Sequence, residues 1–340
     1  MKLAIVGFGH AGRMHHAALN GLADVELVAA CDPFEASRQA AAAAGLRTYA
    51  TLHELIGRED LDAAVICTPP RDHVPATLAC LAQGIHVLCE KPLATSSPEA
   101  AAMFEAANHH TRLAVASKFR HVAEVRQLRT MIAAGELGDV LTFHVAFRAA
   151  VDMRHRWNSQ PEQSGGGVIA DNGSHVFDVV EFLLGSLARV RAVAPLSNAG
   201  LKVEDSAELQ IETAAGVIGN ADLSWSEPPK DDIYITVHGT CATVAIGWKR
   251  SLMRTAASGW QNFGEAYNRD AAHRGMHAAF RDAVTAGGPL WITPAECLAA
   301  VAAVEASYRS MRSGCSELIA AAASPALSGT SETAVTPVAQ

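Results

Sequence analysis

Residues Gly7-Phe8-Gly9-His10-Ala11-Gly12 form a G-x-G-x-x-G run that follows the apolar segment 3–6 directly and opens a helix-like stretch over 11–20. In that context the three glycines serve a tight turn, close backbone approach to a pyrophosphate, and contact between helix and sheet. The first helical N–H groups face the anion. Asp32 lies at the end of the next apolar run, 20 residues after Gly12, where a carboxylate accepts hydrogen bonds from a ribose diol and repels a 2′-phosphate. The chain is therefore expected to bind a dinucleotide, NAD rather than NADP. Arg38, the nearby cation, is expected on an exposed helical face.

Short apolar runs at 3–6, 25–31, 63–67, 86–89 and 113–117 alternate with Ala- and Leu-rich helical stretches at 11–20, 34–44, 72–82 and 98–110. Strand and helix in alternation predict a doubly wound parallel sheet. After a helical segment at 122–134 and a turn at 135–138, β-rich runs follow at 140–147, 190–194, 207–212, 217–224, 233–239 and 242–246. Two helices at 271–286 and 294–312 close the fold. The fold class is α/β: a Rossmann domain over residues 1–120, then an α+β substrate and oligomerisation domain with a large, mostly antiparallel, open-faced sheet over 121–320. Residues 321–340, rich in Ala, Ser, Thr and Pro, read as a loose tail.

With 340 residues, 49% of them hydrophobic, the chain can bury more than one core. Its 27 basic and 35 acidic side chains leave a net charge of −8, without the basic footprint that nucleic acid or an anionic membrane requires. Neither partner is expected. The seven cysteines are odd in number, widely spaced and free of C-x-x-C pairs, which points to a reducing compartment and no zinc site. The apolar start is too short for a signal-peptide core and no apolar stretch reaches membrane-spanning length, so the cytoplasm is the expected location.

The glycine turn with His15, Pro69 with His73, Gly84 to Val87 followed by Glu90-Lys91-Pro92, and Gly165-Gly166-Gly167 followed by Asp171, His175 and Asp178 resemble the glucose-fructose oxidoreductase / inositol dehydrogenase / rhizopine catabolism (Gfo/Idh/MocA) family. Val203-Glu204-Asp205 and Tyr308-Arg309-Ser310 are similar to its later landmarks. The resemblance spans about residues 1–315. It implies NAD as cofactor, hydride exchange with a hydroxyl-bearing carbon of a sugar, amino sugar or cyclitol, and a homodimer or homotetramer that buries the flat sheet. It implies a cis Lys91-Pro92 bond and no metal, and places cofactor contacts at Gly7, Phe8, Gly9, His10, Ala11, Gly12, Asp32, Thr68, Pro69, His73, Glu90 and Lys91. Lys118, Arg120, His121 and Trp157 fall where the family lines its substrate pocket. The chain departs from the family at Pro70, where Asn is usual, and at Ala242, where Gly is usual.

The residue types support this chemistry. Asp171, His175 and Asp178 are spaced to share one helical face. His175 is the candidate proton acceptor. Asp171, one turn earlier, orients the imidazole or binds a neighbouring hydroxyl. Lys91 stabilises the developing alkoxide. Asp178 reads as a supporting carboxylate, and His15 and His86 as packed histidines. Two other functions share the fold: a non-catalytic NAD-binding regulator, against which the Lys91 and His175 pair speaks, and an NAD-dependent glycosidase. The open sheet face is expected to be apolar and to seek a second copy.

Overall fold

Apolar runs of four or five residues between helical stretches bury completely only when both faces of their sheet are covered, and Leu3, Ala4, Ile5, Ala63 to Ile66 and Val87 to Cys89 are all buried in the computed structural model, which describes residues 1–108, 110–195 and 200–320. The elements run β1 (Lys2–Val6), α1 (His10–Leu19), β2 (Glu26–Cys31), α2 (Glu35–Ala43), β3 (Arg47–Tyr49), α3 (Leu52–Arg58), β4 (Ala63–Ile66), α4 (His73–Leu81), β5 (His86–Cys89), α5 (Ser97–Ala106) and β6 (Leu113–Val115). The parallel order β3-β2-β1-β4-β5-β6 puts the topological switch between β1 and β4, where the glycine turn lies.

Two elements of the parallel-sheet half escaped the sequence reading. The edge strand β3 has three residues and no apolar run, and α3 is announced only by Thr51, whose hydroxyl accepts from the Glu54 N–H at 3.2 Å. The strand expected over 113–117 stops at Val115, and residues 118–121 form a 3₁₀ turn instead.

The remaining elements are α6 (Ala123–Ala133), β7 (Val140–Arg148), α7 (Pro161–Ser164), α8 (Ser174–Leu184), β8 (Leu187–Val193), β9 (Ser206–Thr213), β10 (Ile218–Ser224), β11 (Ile233–Gly239), β12 (Ala242–Gly247), β13 (Ser251–Thr255), β14 (Ser258–Gly264), α9 (Arg269–Thr285), α10 (Pro294–Ser313) and β15 (Glu317–Leu318). They build a sheet ordered β14-β13-β12-β11-β7-β10-β9-β8-β15, antiparallel except where β10 meets β7. The hairpin β13–β14 was not anticipated, because its largely polar strands give no clear two-residue alternation.

One face of this sheet packs through Phe143, Val145, Leu209, Ile211 and Leu223 on α6, α8 and α10. The other is open, but the expectation of an apolar open face is corrected. Strand alternation turns Arg191, Glu208, Gln210, Asn220 and His144 outward beside the exposed Val193 and Ile218, while Leu141, Trp260 and Leu318 are further exposed apolar side chains on strands of this sheet. The closing helices also do more than complete the second sheet. Met276 and Phe280 of α9 pack with Leu3 and Ile5, and Cys297, Leu298 and Val301 of α10 pack with Val87 and Leu113. The last helices thus knit both sheets into one body. The expected tail, 321–340, lies outside the described residues.

Candidate active site

The glycine turn is built by contact. A Cβ on Gly12 would overlap the Gly7 carbonyl oxygen, so only glycine lets α1 start against the end of β1. Asp32, 6% exposed, fixes the same turn: Oδ2 accepts from the Phe8 N–H at 2.8 Å and Oδ1 from the Phe34 N–H at 2.9 Å. Each oxygen keeps a lone pair for a ribose hydroxyl. Arg38 is not simply a solvated helix residue, since its guanidinium curls back onto the carbonyls of Asp32 and Pro33, both at 2.8 Å. The turn, the free helix start and the carboxylate together fit a dinucleotide.

From Gly9, His10 and Ala11 a cleft of about 660 Å³ runs along the sheet edges past Thr68, Glu90 and Lys91 to Asp171 and His175, and on to Trp157, Trp225 and Trp248. Lys91, just beyond β5, and Asp171, in the turn that leads into α8, meet here. The ammonium pairs with the Asp171 carboxylate and also donates to its backbone carbonyl at 3.2 Å. The Lys91-Pro92 bond is cis. Asp171 sits in a widened, π-type turn over Ile169–Gly173 that leads into α8, rather than in a regular helix. The shared face expected for Asp171, His175 and Asp178 is corrected accordingly. Asp171 and His175 open to the cleft, whereas Asp178 turns inward to the guanidinium of Arg120 at 2.8 Å. Asp171 does not orient the imidazole, because its carboxylate is engaged by Lys91 and by Asn158 at 3.3 Å.

The turn carrying Asp171 is anchored from afar. A Cβ on Gly167 would overlap the Glu204 carbonyl oxygen. The Glu204 side chain accepts from the N–H groups of Gly167 and Ile169 at 3.1 and 3.0 Å and from the Tyr308 hydroxyl at 2.7 Å.

Burial, followed by the positive charges of Lys91 and Lys118, holds His175 well below the usual imidazole range. Its ring lies edge-on to Phe119 at 5.1 Å. It is therefore neutral at pH 7, with a lone pair to take a proton. Lys118, carried in by the 3₁₀ turn, is pushed down to about 8, first by burial and then by Lys91.

Phe8, Pro69, His73, Arg120 and His121 are expected contacts that do not line the cleft. Phe8 points into the core. His73, 1% exposed, has its ring between the carbonyls of Pro92 and Thr68 at 2.9 and 2.8 Å, bracing the Lys91 turn from behind. Pro69 only flanks Thr68. Arg120, 2% exposed, is consumed by Asp178, by Glu296 at 2.7 Å and by the Trp291 carbonyl at 3.3 Å. Its spacing resembled a pocket residue, but three acceptors on three segments hold it inside. The sequence reading missed Met14, Phe147, Arg156, Asn158, Asn172, Trp225, Trp248 and His273, which do line the cleft. Most sit at strand ends or in loops without a motif, and tertiary packing alone brings them together.

Comparison with known proteins agrees with this geometry. Residues 1–118 match the family model described as "Oxidoreductase family, NAD-binding Rossmann fold" and 125–245 match the "GFO/IDH/MocA C-terminal domain". The chain belongs to the Gfo/Idh/MocA family of NAD-binding oxidoreductases. It is 29% identical over 316 residues to the rhizopine catabolism protein MocA of Rhizobium meliloti, covering 90% of this chain and 93% of that one. It is also 29% identical over 291 residues to an inositol 2-dehydrogenase of Rhodococcus erythropolis, covering 80% and 82%. Among solved structures it superposes on GenD2 from gentamicin A biosynthesis, in complex with NAD, with a TM-score of 0.85 at 28% identity, covering 94% and 97%.

Proposed function

We propose that the protein transfers a hydride between a secondary ring hydroxyl of a sugar, amino sugar or cyclitol and NAD, with the dinucleotide on residues 1–120 and the substrate on 121–320. The observation that carries the reading is the convergence of Lys91, Asp171 and His175 on the cleft that begins at the glycine turn. When bound, NAD supplies the hydride acceptor. Lys91 donates to the substrate oxygen and stabilises the negative charge that grows there. The neutral His175 takes the hydroxyl proton. Asp171 and Asn158 hold Lys91 in place. Trp157, Trp225 and Trp248 line the cleft, and aromatic lining suits the apolar side of a carbohydrate. The test is a screen of sugars, amino sugars and cyclitols for formation of reduced nicotinamide, followed by His175→Ala on the best substrate. That variant is expected to lose about 10²- to 10⁴-fold in kcat while its affinity for NAD stays near wild type. Protein that binds NAD but turns over none of these compounds would refute the substrate class.

Asp32 supports a preference for NAD over NADP, because its charge faces the position of a 2′-phosphate. Equal kcat/KM for the two cofactors would overturn this. The reading extends to a cytoplasmic homo-oligomer. The seven cysteines are free thiols, and the open sheet face carries both Arg191 and Glu208, a self-complementary pattern for a two-fold contact. No helix among the described residues is long and apolar enough to cross a membrane. Light scattering that returned only the monomer mass at micromolar concentration would remove the oligomer from the proposal.

A further inference from the structure

The geometry points to a buried chain of three side chains, Glu90, His15 and His277, as the device that biases the cleft toward oxidised over reduced nicotinamide; the inference rests on the NAD-dependent reading above. Glu90 stands at the end of β5 beside Lys91, and its side chain, 14% exposed, lines the cleft. Both of its oxygens are fixed, Oε2 by the Lys91 N–H at 3.0 Å and Oε1 by His15 Nε2 at 2.8 Å. His15, fully buried on α1, places its other nitrogen 2.8 Å from Nε2 of His277, which is 1% exposed on α9. The carboxylate is thus held through two rings by a helix from the far end of the chain.

The proton positions follow from bookkeeping of donors and acceptors. An ionised Glu90 only accepts, so His15 Nε2 carries a proton and donates to it. Between His15 Nδ1 and His277 Nε2 one proton is shared, and Nδ1 of His277 is buried with no hydrogen-bond partner among the described residues. The chain runs unbroken from His277 through His15 to Glu90. Against the cost of burial, the hydrogen bond and charge of His15, then the Lys91 and Lys118 charges, hold Glu90 well below the usual carboxylate range. Burial, then His15 and His273, hold His277 well below the usual imidazole range. The other groups facing the chain are His273, 5.6 Å from the His15 ring, and His121, which faces His277.

Glu90 is therefore a fixed negative charge between the glycine turn and the site of hydride transfer. The oxidised nicotinamide ring is cationic and the reduced ring neutral, so the carboxylate favours one form over the other. Such a site takes up the oxidised cofactor and releases the reduced one. His15 and His277 touch neither substrate nor cofactor, and act as positioning residues through Glu90.

The test is to measure Kd for NAD⁺ and for NADH by titration from pH 6 to 8, with wild-type protein, Glu90→Gln, His277→Met and His277→Gln. Glu90→Gln is expected to cut the preference for NAD⁺ about tenfold, the size of a partly screened charge interaction. His277→Met removes the ring that faces His15 Nδ1 and should cut the preference about threefold. His277→Gln, whose amide N–H can reach the same nitrogen, should restore most of it. An unchanged ratio in Glu90→Gln, with both nucleotides bound, overturns the inference; this nearly isosteric variant decides the outcome if His277→Met does not fold. Wild-type protein that bound neither nucleotide would instead overturn the cofactor reading.

Discussion

Lys91 and Lys118 face the same imidazole, and their charges are one reason His175 stays neutral. Lys118→Met removes one of them, so the imidazolium becomes easier to form and the pKa of His175 rises. The acid limb of kcat/KM against pH is expected to move to higher pH in the variant. An unmoved limb would show that Lys118 does not act on the base. Gly12, Asp32 and Lys91 were legible in the sequence because each sits at a fixed offset from a strand end, and His175 because of its spacing after Gly165-Gly166-Gly167. Arg120 and His73, marked in the same way, lie outside the cleft. A cation and an imidazole look alike in sequence whether they meet a ligand or three backbone and side-chain acceptors.

The widened turn before α8 works only because other elements clamp it. Tyr308 on α10 donates to Glu204 and accepts from the Gly167 N–H at 3.0 Å, so one hydroxyl ties the last long helix to the segment that carries Asp171. Tyr308→Phe leaves that N–H with Glu204 alone. It is expected to cost about 1–2 kcal/mol in denaturant unfolding and to lower kcat while leaving the Kd for NAD unchanged. A variant that lost stability without losing kcat would separate the clamp from catalysis. At the start of α10, Thr293 and Glu296 form a capping box, with the Thr293 hydroxyl accepting from the Glu296 N–H at 3.2 Å. That T-x-x-E pattern is readable in the sequence, and so is the one at Thr51 that opens α3. The π-type turn is not, because its extra residue per turn is imposed by the contact of Gly167 with Glu204.

Arg120 joins the 3₁₀ turn after β6 to α8 and α10 through ion pairs with Asp178 and Glu296. Arg120→Leu would leave Asp178 and Glu296 without their cation, for a loss of about 3–5 kcal/mol by chemical denaturation. A loss under about 1 kcal/mol would mean that the apolar contacts of α10 suffice. Beside this network Glu181 is pushed up to about 8, by burial and then by Glu296. A carboxyl with a raised folded pKa binds its proton more tightly when folded, so its contribution is greatest at low pH and declines as pH climbs from about 4.5 to about 8. Glu181→Gln does not titrate. Its melting temperature should therefore gain on wild type across that interval and hold the gain above pH 8, and parallel curves would contradict the assignment.

The parallel sheet, the glycine turn, and the positions of Lys91 and His175 were all present in local spacing. Each depends on contacts between residues close in sequence or at the ends of neighbouring strands, and such contacts leave a period or an offset. The partner of Asp171, the inward turn of Asp178, the polar character of the open face and the return of α9 to bring His277 against His15 left no such trace. They arise where segments more than 50 residues apart are packed against one another, and there the outcome is decided by which acceptor lies within 3 Å of a buried donor once both sheets have closed on the shared helices.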